Sequence, residues 1–225
     1  MTKALPCINT QQVAAKTNSK GQHALMLIIK KLPTSKQYLF GPLLIIVLAL
    51  SVFFFENTNT DLSYHRDLLE QGQWWLLFSG HILHTNDMHL ALNGAAVLLL
   101  WALHGQFFSY VNYLIIWLLL ALGTSIGLYY FSPEMISYVG LSGVLHGFFV
   151  IGACEDIKHK EKTGYLLLFA VIAKVIHEQI FGASKEVMQL IDANVAIDAH
   201  LYGLISGLFI ILLTTTYAYF SKGKA

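Results

Sequence analysis

A few polar side chains stand where an otherwise apolar chain has little reason to keep them. Ser142 lies in Gly140-Leu141-Ser142-Gly143, His200 lies three residues before Gly203, and His89 and Asn93 are four apart, hence on one helical face. A serine hydroxyl beside an imidazole is a nucleophile with its base, and neighbouring donors can hold the oxyanion that forms in acyl transfer. A helix beginning at Ser142 would add backbone amides free of intrahelical partners. Gly143 and Gly147, like Gly203 and Gly207, form small-xxx-small faces that let two helix backbones approach closely. If those two faces pack together, Ser142 and His200 reach similar depth as a dyad, with His89 and Asn93 as oxyanion donors. Each motif alone has a packing explanation, because a serine in an apolar helix commonly bonds back to a carbonyl. The combination points to chemistry.

The elements that must position these groups are membrane spans. The chain has 225 residues, 56% hydrophobic and 12% charged, against roughly 25% charged in a soluble domain. Crossing about 30 Å of hydrocarbon takes about 20 apolar residues in a helix. Six segments qualify or approach this, at 38–55, 88–103, 107–131, 141–154, 164–181 and 197–220. Lys3, Lys16, Lys20, Lys30, Lys31, Lys36, Lys158, Lys160, Lys162, Lys222 and Lys224 then fall on one side, Arg66 and Lys185 on the other, and Lys174 inside the fifth span. Short cytoplasmic loops carry the basic excess, so both termini are expected in the cytoplasm. The division reads as a polar N-terminal extension over 1–37, with a short surface helix at Ala24–Ile29, a membrane domain over 38–221 and a basic tail over 222–225. Trp74 and Trp75 are placed to anchor the long external loop at the interface.

Composition and spacing also exclude several classes. A net charge of +1 offers no basic field for nucleic acid. Cys7 and Cys154 make no CxxC pattern, and His81, His84 and His89 make no HExxH helix, so no metal is expected. No other cofactor is expected, although facing imidazoles at His89 and His200 would also suit a histidine-rich channel or a haem carrier, the haem version of which a spectrum lacking a Soret band would exclude. Asp198, two residues before His200, lies on another face and is a poor third member of a triad. Lys174 and Glu178, four apart, read either as a structural ion pair or as a docking site for substrate.

Taken together, His81-Ile82-Leu83-His84 through Asn93, the stretch Gly140 to Gly147 and Ala199 to Gly207 resemble the signatures of the rhomboid family of intramembrane serine proteases. The resemblance covers about Gln73 to Gly207 and implies an all-α membrane protein with the six-helix rhomboid fold. It implies Ser142 as nucleophile, His200 as general base, and His89 and Asn93 with the Ser142 amide around the oxyanion. Gly140, Gly143 and His84 take supporting roles, His84 bracing the external loop through hydrogen bonds. Where many rhomboids carry a tyrosine four residues after the serine, this chain has His146, which either stacks on His200 or hydrogen-bonds near it. The common Trp-Arg pair of the external loop is absent. With the polar fifth span, these departures are similar to the rhombosortase branch. That branch implies a bacterial inner-membrane enzyme open to the periplasm, acting on membrane-anchored proteins that end in Gly-Gly, an apolar helix and a basic tail. A general rhomboid protease and a non-catalytic rhomboid-like binding protein are the alternatives, and span five with the last external loop is the expected gate.

Overall fold

The computed structural model describes residues 32–55 and 61–222. The surface helix expected at Ala24–Ile29, most of the N-terminal extension and the last three residues lie outside the described residues. Six long helices carry the fold: α1 (Lys36–Phe55), α4 (Asp87–His104), α5 (Tyr110–Phe131), α6 (Ser142–Lys158), α7 (Thr163–Phe181) and α9 (Ile197–Lys222). Shorter pieces decorate the connections, namely β1 (Tyr64–His65), α2 (Arg66–Glu70), α3 (Leu76–Ser79), β2 (Ser137–Tyr138) and α8 (Lys185–Ile191). The all-α reading thus holds, with one two-residue antiparallel pairing, Tyr64 opposite Tyr138, that ties the first external loop to the segment before Ser142.

Five of the six long helices are long and apolar enough to cross a membrane. The exception is α6, whose 17 residues rise only about 25 Å. It is also the most enclosed. Val144, Leu145, Phe148 and Ile151 of α6 pack with Val97 and Leu100 of α4, Leu120 and Trp117 of α5, and Ile45 of α1 in one core. The outer helices turn residues such as Phe40, Leu99, Leu119, Phe169 and Leu212 outward, which suits helices whose solvent is lipid. A helix that faces protein on all sides needs no lipid-matched length.

Two boundaries differ from the sequence reading for local reasons. The second span ends in a 3-10 turn at Gly105–Phe107, so α5 begins at Tyr110 instead of Phe107. The fourth runs on to Lys158, because Glu155 and Lys158 pair at 2.7 Å on its exposed side and Asp156 turns inward to His104 at 3.1 Å.

The close crossing of α6 and α9 sets the site. A Cβ on Gly143 would sit 2.8 Å from the Ala199 carbonyl oxygen, one on Gly207 would sit 2.7 Å from that of Gly147, and one on Gly203 would drive into the Gly143 carbonyl. The two backbones therefore touch. Since Ser142 adjoins Gly143 and His200 adjoins Ala199, this contact carries both side chains to one level.

Candidate active site

At that level the Oγ of Ser142 lies 2.9 Å from Nε2 of His200. The other ring nitrogen, Nδ1, lies 2.8 Å from Oε2 of Glu178 on α7, while Oε1 of Glu178 takes a 2.7 Å ion pair from Lys174. His146 stacks on His200 with centroids 4.1 Å apart and planes at 22°, and its own Nδ1 donates to the Ser142 carbonyl at 2.7 Å. Both alternatives for His146, stacking and hydrogen bonding nearby, are therefore realised at once.

The opposite side of Ser142 belongs to α4. Asn86 caps that helix, its side chain accepting from the amide of His89 at 2.8 Å, so the helix starts where His89 and Asn93 face inward. The Thr85 amide donates to Nδ1 of His89 at 3.4 Å while the Thr85 hydroxyl spends its hydrogen elsewhere, which leaves Nε2, carrying the ring hydrogen, turned toward Gly140. Gly140 has φ of +134°, and any side chain there would meet the His89 ring at 3.0 Å. Asn93 is buried, and its amide nitrogen has no hydrogen-bond partner among the described residues. Tyr138 donates to the Gly140 carbonyl and fixes the turn into α6.

The bracing role that the resemblance implies for His84 falls to a neighbour. His84 packs edge-on against the His89 ring at 5.0 Å. The hydrogen bonds come from His81, whose Nε2 lies 3.1 Å from the Ala121 carbonyl and 2.9 Å from the Ser125 hydroxyl. Ser125 donates onward to the Leu77 carbonyl, so His81 is the donor to it. Burial pushes the His81 imidazole down to about 4, and the ring is neutral. Position along the loop explains the exchange: His81 enters beneath α5, whereas His84 is three residues nearer the start of α4.

Other polar residues fall into place around this centre. Asp198 accepts from Ser132 at 2.5 Å and stays off His200. Arg66, to which sequence reasoning gave no role, donates to the carbonyls of Leu128, Tyr129 and Ser132, capping the end of α5. Its signal was present, as the sole arginine of the chain. The contact between Glu178 and His200 was also missed, because nothing in the spacing of residues 178 and 200 marks two helices as neighbours. His146, Glu178 and His200 bring donor atoms within 4.8 Å of one another. The two stacked rings, however, aim their in-plane lone pairs along nearly parallel planes, so they do not converge on one ion.

Ser142, His200, His89 and Asn93 all line a cavity of about 410 Å³. Val187 and Ile191 of α8 and Lys174 of α7 also border it. The cover is tied down by side chains just ahead of α4: Thr85 donates to the Ile191 carbonyl at 2.6 Å and Asn86 to that of Leu190 at 3.0 Å. A hydroxyl, a base, and a buried amide donor without a partner thus converge on one cavity.

Residues 71–217 match the rhomboid domain. The chain belongs to the rhomboid family. It is 25% identical over 150 residues to YdcA of Bacillus subtilis (strain 168), named for the rhomboid proteases, across 63% of this chain and 68% of the relative. It is 27% identical over 179 residues to the rhomboid protease GluP of the same organism, across 76% of this chain but only 33% of that longer protein. The rhomboid domain takes in α3 through α8 and most of α9, with α1, β1 and α2 ahead of the match. This is a multi-pass membrane protein of the family, with its polar cluster at the convergence of α4, α6, α7 and α9.

Proposed function

We propose that this rhomboid is an intramembrane serine endopeptidase in which Ser142 attacks the scissile carbonyl and His200 serves as base. The 2.9 Å contact between Ser142 Oγ and His200 Nε2, inside a cavity shared with His89 and Asn93, carries the reading. The Ser142 Oγ to carbonyl carbon bond forms as the hydroxyl proton passes to Nε2. The negative charge on the former carbonyl oxygen is met by Asn93, His89 and the Ser142 amide. The proton then moves to the leaving amine as the C–N bond breaks, and water releases the acyl group with His200 again as base.

The finer reading is a rhombosortase that removes a C-terminal tag of Gly-Gly, an apolar helix and a basic tail from exported proteins. The protease domain runs over 38–221, with the 1–37 extension and the 222–225 tail in the cytoplasm of a bacterium and the site open to the periplasm. A tag of two residues without side chains, followed by an apolar helix, is a substrate that a mostly apolar cavity can admit sideways from lipid. Lys174, which is half exposed at the cavity edge, is the docking candidate.

Reconstitution with a tagged substrate tests both levels. Cleavage is expected from the natural chain and is lost on Ser142→Ala or His200→Ala; full cleavage by either variant overturns the assignment. Cleavage of untagged membrane proteins at equal rate would favour a general rhomboid protease. Mass spectrometry of the new C-terminus separates hydrolysis from transfer to another nucleophile.

A further inference from the structure

We infer that Glu178 is a third member of the machinery, a positioning residue that holds His200 in the tautomer the reaction needs and stabilises the imidazolium that forms. This inference rests on the protease reading above. The contact in question is Glu178 Oε2 to His200 Nδ1 at 2.8 Å, on the ring nitrogen opposite the one facing Ser142. A carboxylate only accepts, so the hydrogen between them sits on Nδ1. Nε2 then presents its lone pair to the Ser142 hydroxyl, which donates to it.

Lys174 completes the arrangement without competing for it. Its Nζ pairs with Oε1 and leaves Oε2 for the histidine. Nζ lies 3.4 Å from Nδ1, but both atoms carry hydrogen in this tautomer, so that approach is not a hydrogen bond. Were the ion pair only a way to tolerate a carboxylate in an apolar span, both groups would turn outward together. Instead the lysine side chain is 48% exposed and the glutamate side chain 13%, with its second oxygen aimed inward. Asp198, the acid nearer in sequence, is occupied by Ser132.

In the reaction the proton leaving Ser142 Oγ goes to Nε2 while the Nδ1 hydrogen stays in place, bonded to Glu178. The resulting imidazolium lies between a carboxylate and the stacked ring of His146. A full charge formed in a low-dielectric span is costly unless a counter-charge is in contact, and Glu178 is that counter-charge.

A fluorophosphonate probe tests this without knowledge of the natural substrate. Ser142 Oγ bonds to phosphorus, fluoride leaves, and the hydroxyl proton passes to His200. In detergent-solubilised full-length protein, Glu178→Gln is expected to lower the maximal labelling rate by about 10²- to 10⁴-fold with probe affinity unchanged. Glu178→Asp, which keeps the charge on a shorter arm, is expected to recover part of that loss. A merely structural glutamate would lower the melting temperature of both variants and leave the labelling rate alone; a Glu178→Gln rate within about threefold of wild type overturns the inference. Should the glutamine variant fail to fold, nitrogen-15 NMR of histidine-labelled wild type, assigned against His200→Asn, decides. Hydrogen on Nδ1 supports the inference and hydrogen on Nε2 overturns it. If the wild-type protein is not labelled at Ser142 at all, the protease reading itself falls, and this inference with it.

Discussion

At the scale of single residues, the side of the site that would bind the oxyanion differs in kind from the side that would move the proton. His200 has both ring nitrogens engaged, by Ser142 and by Glu178. Asn93 has a buried amide nitrogen with no partner among the described residues. A buried unpaired donor costs about 1–3 kcal/mol, which is reasonable where charge develops during a reaction and wasteful anywhere else. Asn93→Ala is therefore expected to slow fluorophosphonate labelling of Ser142 about 10²- to 10³-fold while the melting temperature stays level or rises. A variant that melts lower and labels normally would make Asn93 a structural residue. The same separation explains why the resemblance misplaced the bracing histidine: His81 and His84 are alike in a sequence, and only the approach of Ala121 and Ser125 tells which of them is pinned.

Helices decide how close these residues come, and the decisive contact is the crossing of α6 and α9. The glycine spacing made that crossing legible in the sequence, since Gly143, Gly147, Gly203 and Gly207 leave no other use for two matched faces of small residues. The Ser142 and His200 pairing followed from it. The fourth helix of the site, α7, was legible as a span but its contact with His200 was not, because its polar residues Lys174 and Glu178 form an i,i+4 pair that satisfies itself locally. Nothing in that pair names His200 as a third partner. α8 escaped notice for another reason: seven residues in an external loop show too little periodicity, and its hydrogen bonds run to Thr85 and Asn86, about a hundred positions earlier. The crossing itself makes a sharp prediction. A methyl group at Gly203 would drive into the Gly143 carbonyl, which is backbone and can yield only by moving a helix. Gly203→Ala is expected to destabilise the protein by about 1–3 kcal/mol. A displacement of about 1 Å costs about 10²-fold in rate, so labelling of Ser142 should fall well beyond what the unfolded fraction explains. Unchanged melting and labelling would mean that the two helices are not in backbone contact.

For the whole molecule, the short central helix and the distribution of lysines describe one object from two directions. A helix rising about 25 Å inside a slab of about 30 Å must leave at least one end within the hydrocarbon zone, so the proposed hydrolysis at Ser142 calls for water delivered through protein. The cavity under α8 lies on the side of β1, β2, α2 and α3, where Arg66 and Lys185 are the only described basic residues. The opposite side carries Lys36, Lys158, Lys160, Lys162 and Lys222 among the described residues, the asymmetry expected of a cytoplasmic face. In the proposed orientation the basic face is cytoplasmic and the cavity faces the periplasm, and since the two share no residue the orientation is testable alone. In a chain with Cys7 and Cys154 replaced by alanine, a cysteine at the exposed position Gln71 should react with a membrane-impermeant maleimide in cells whose outer membrane is permeabilised. A cysteine at Lys162, also exposed, should react only after the inner membrane is opened. The reverse pattern would put the Ser142 cavity on the cytoplasmic side, and a periplasmic substrate ending in an exported Gly-Gly tag would then be out of its reach.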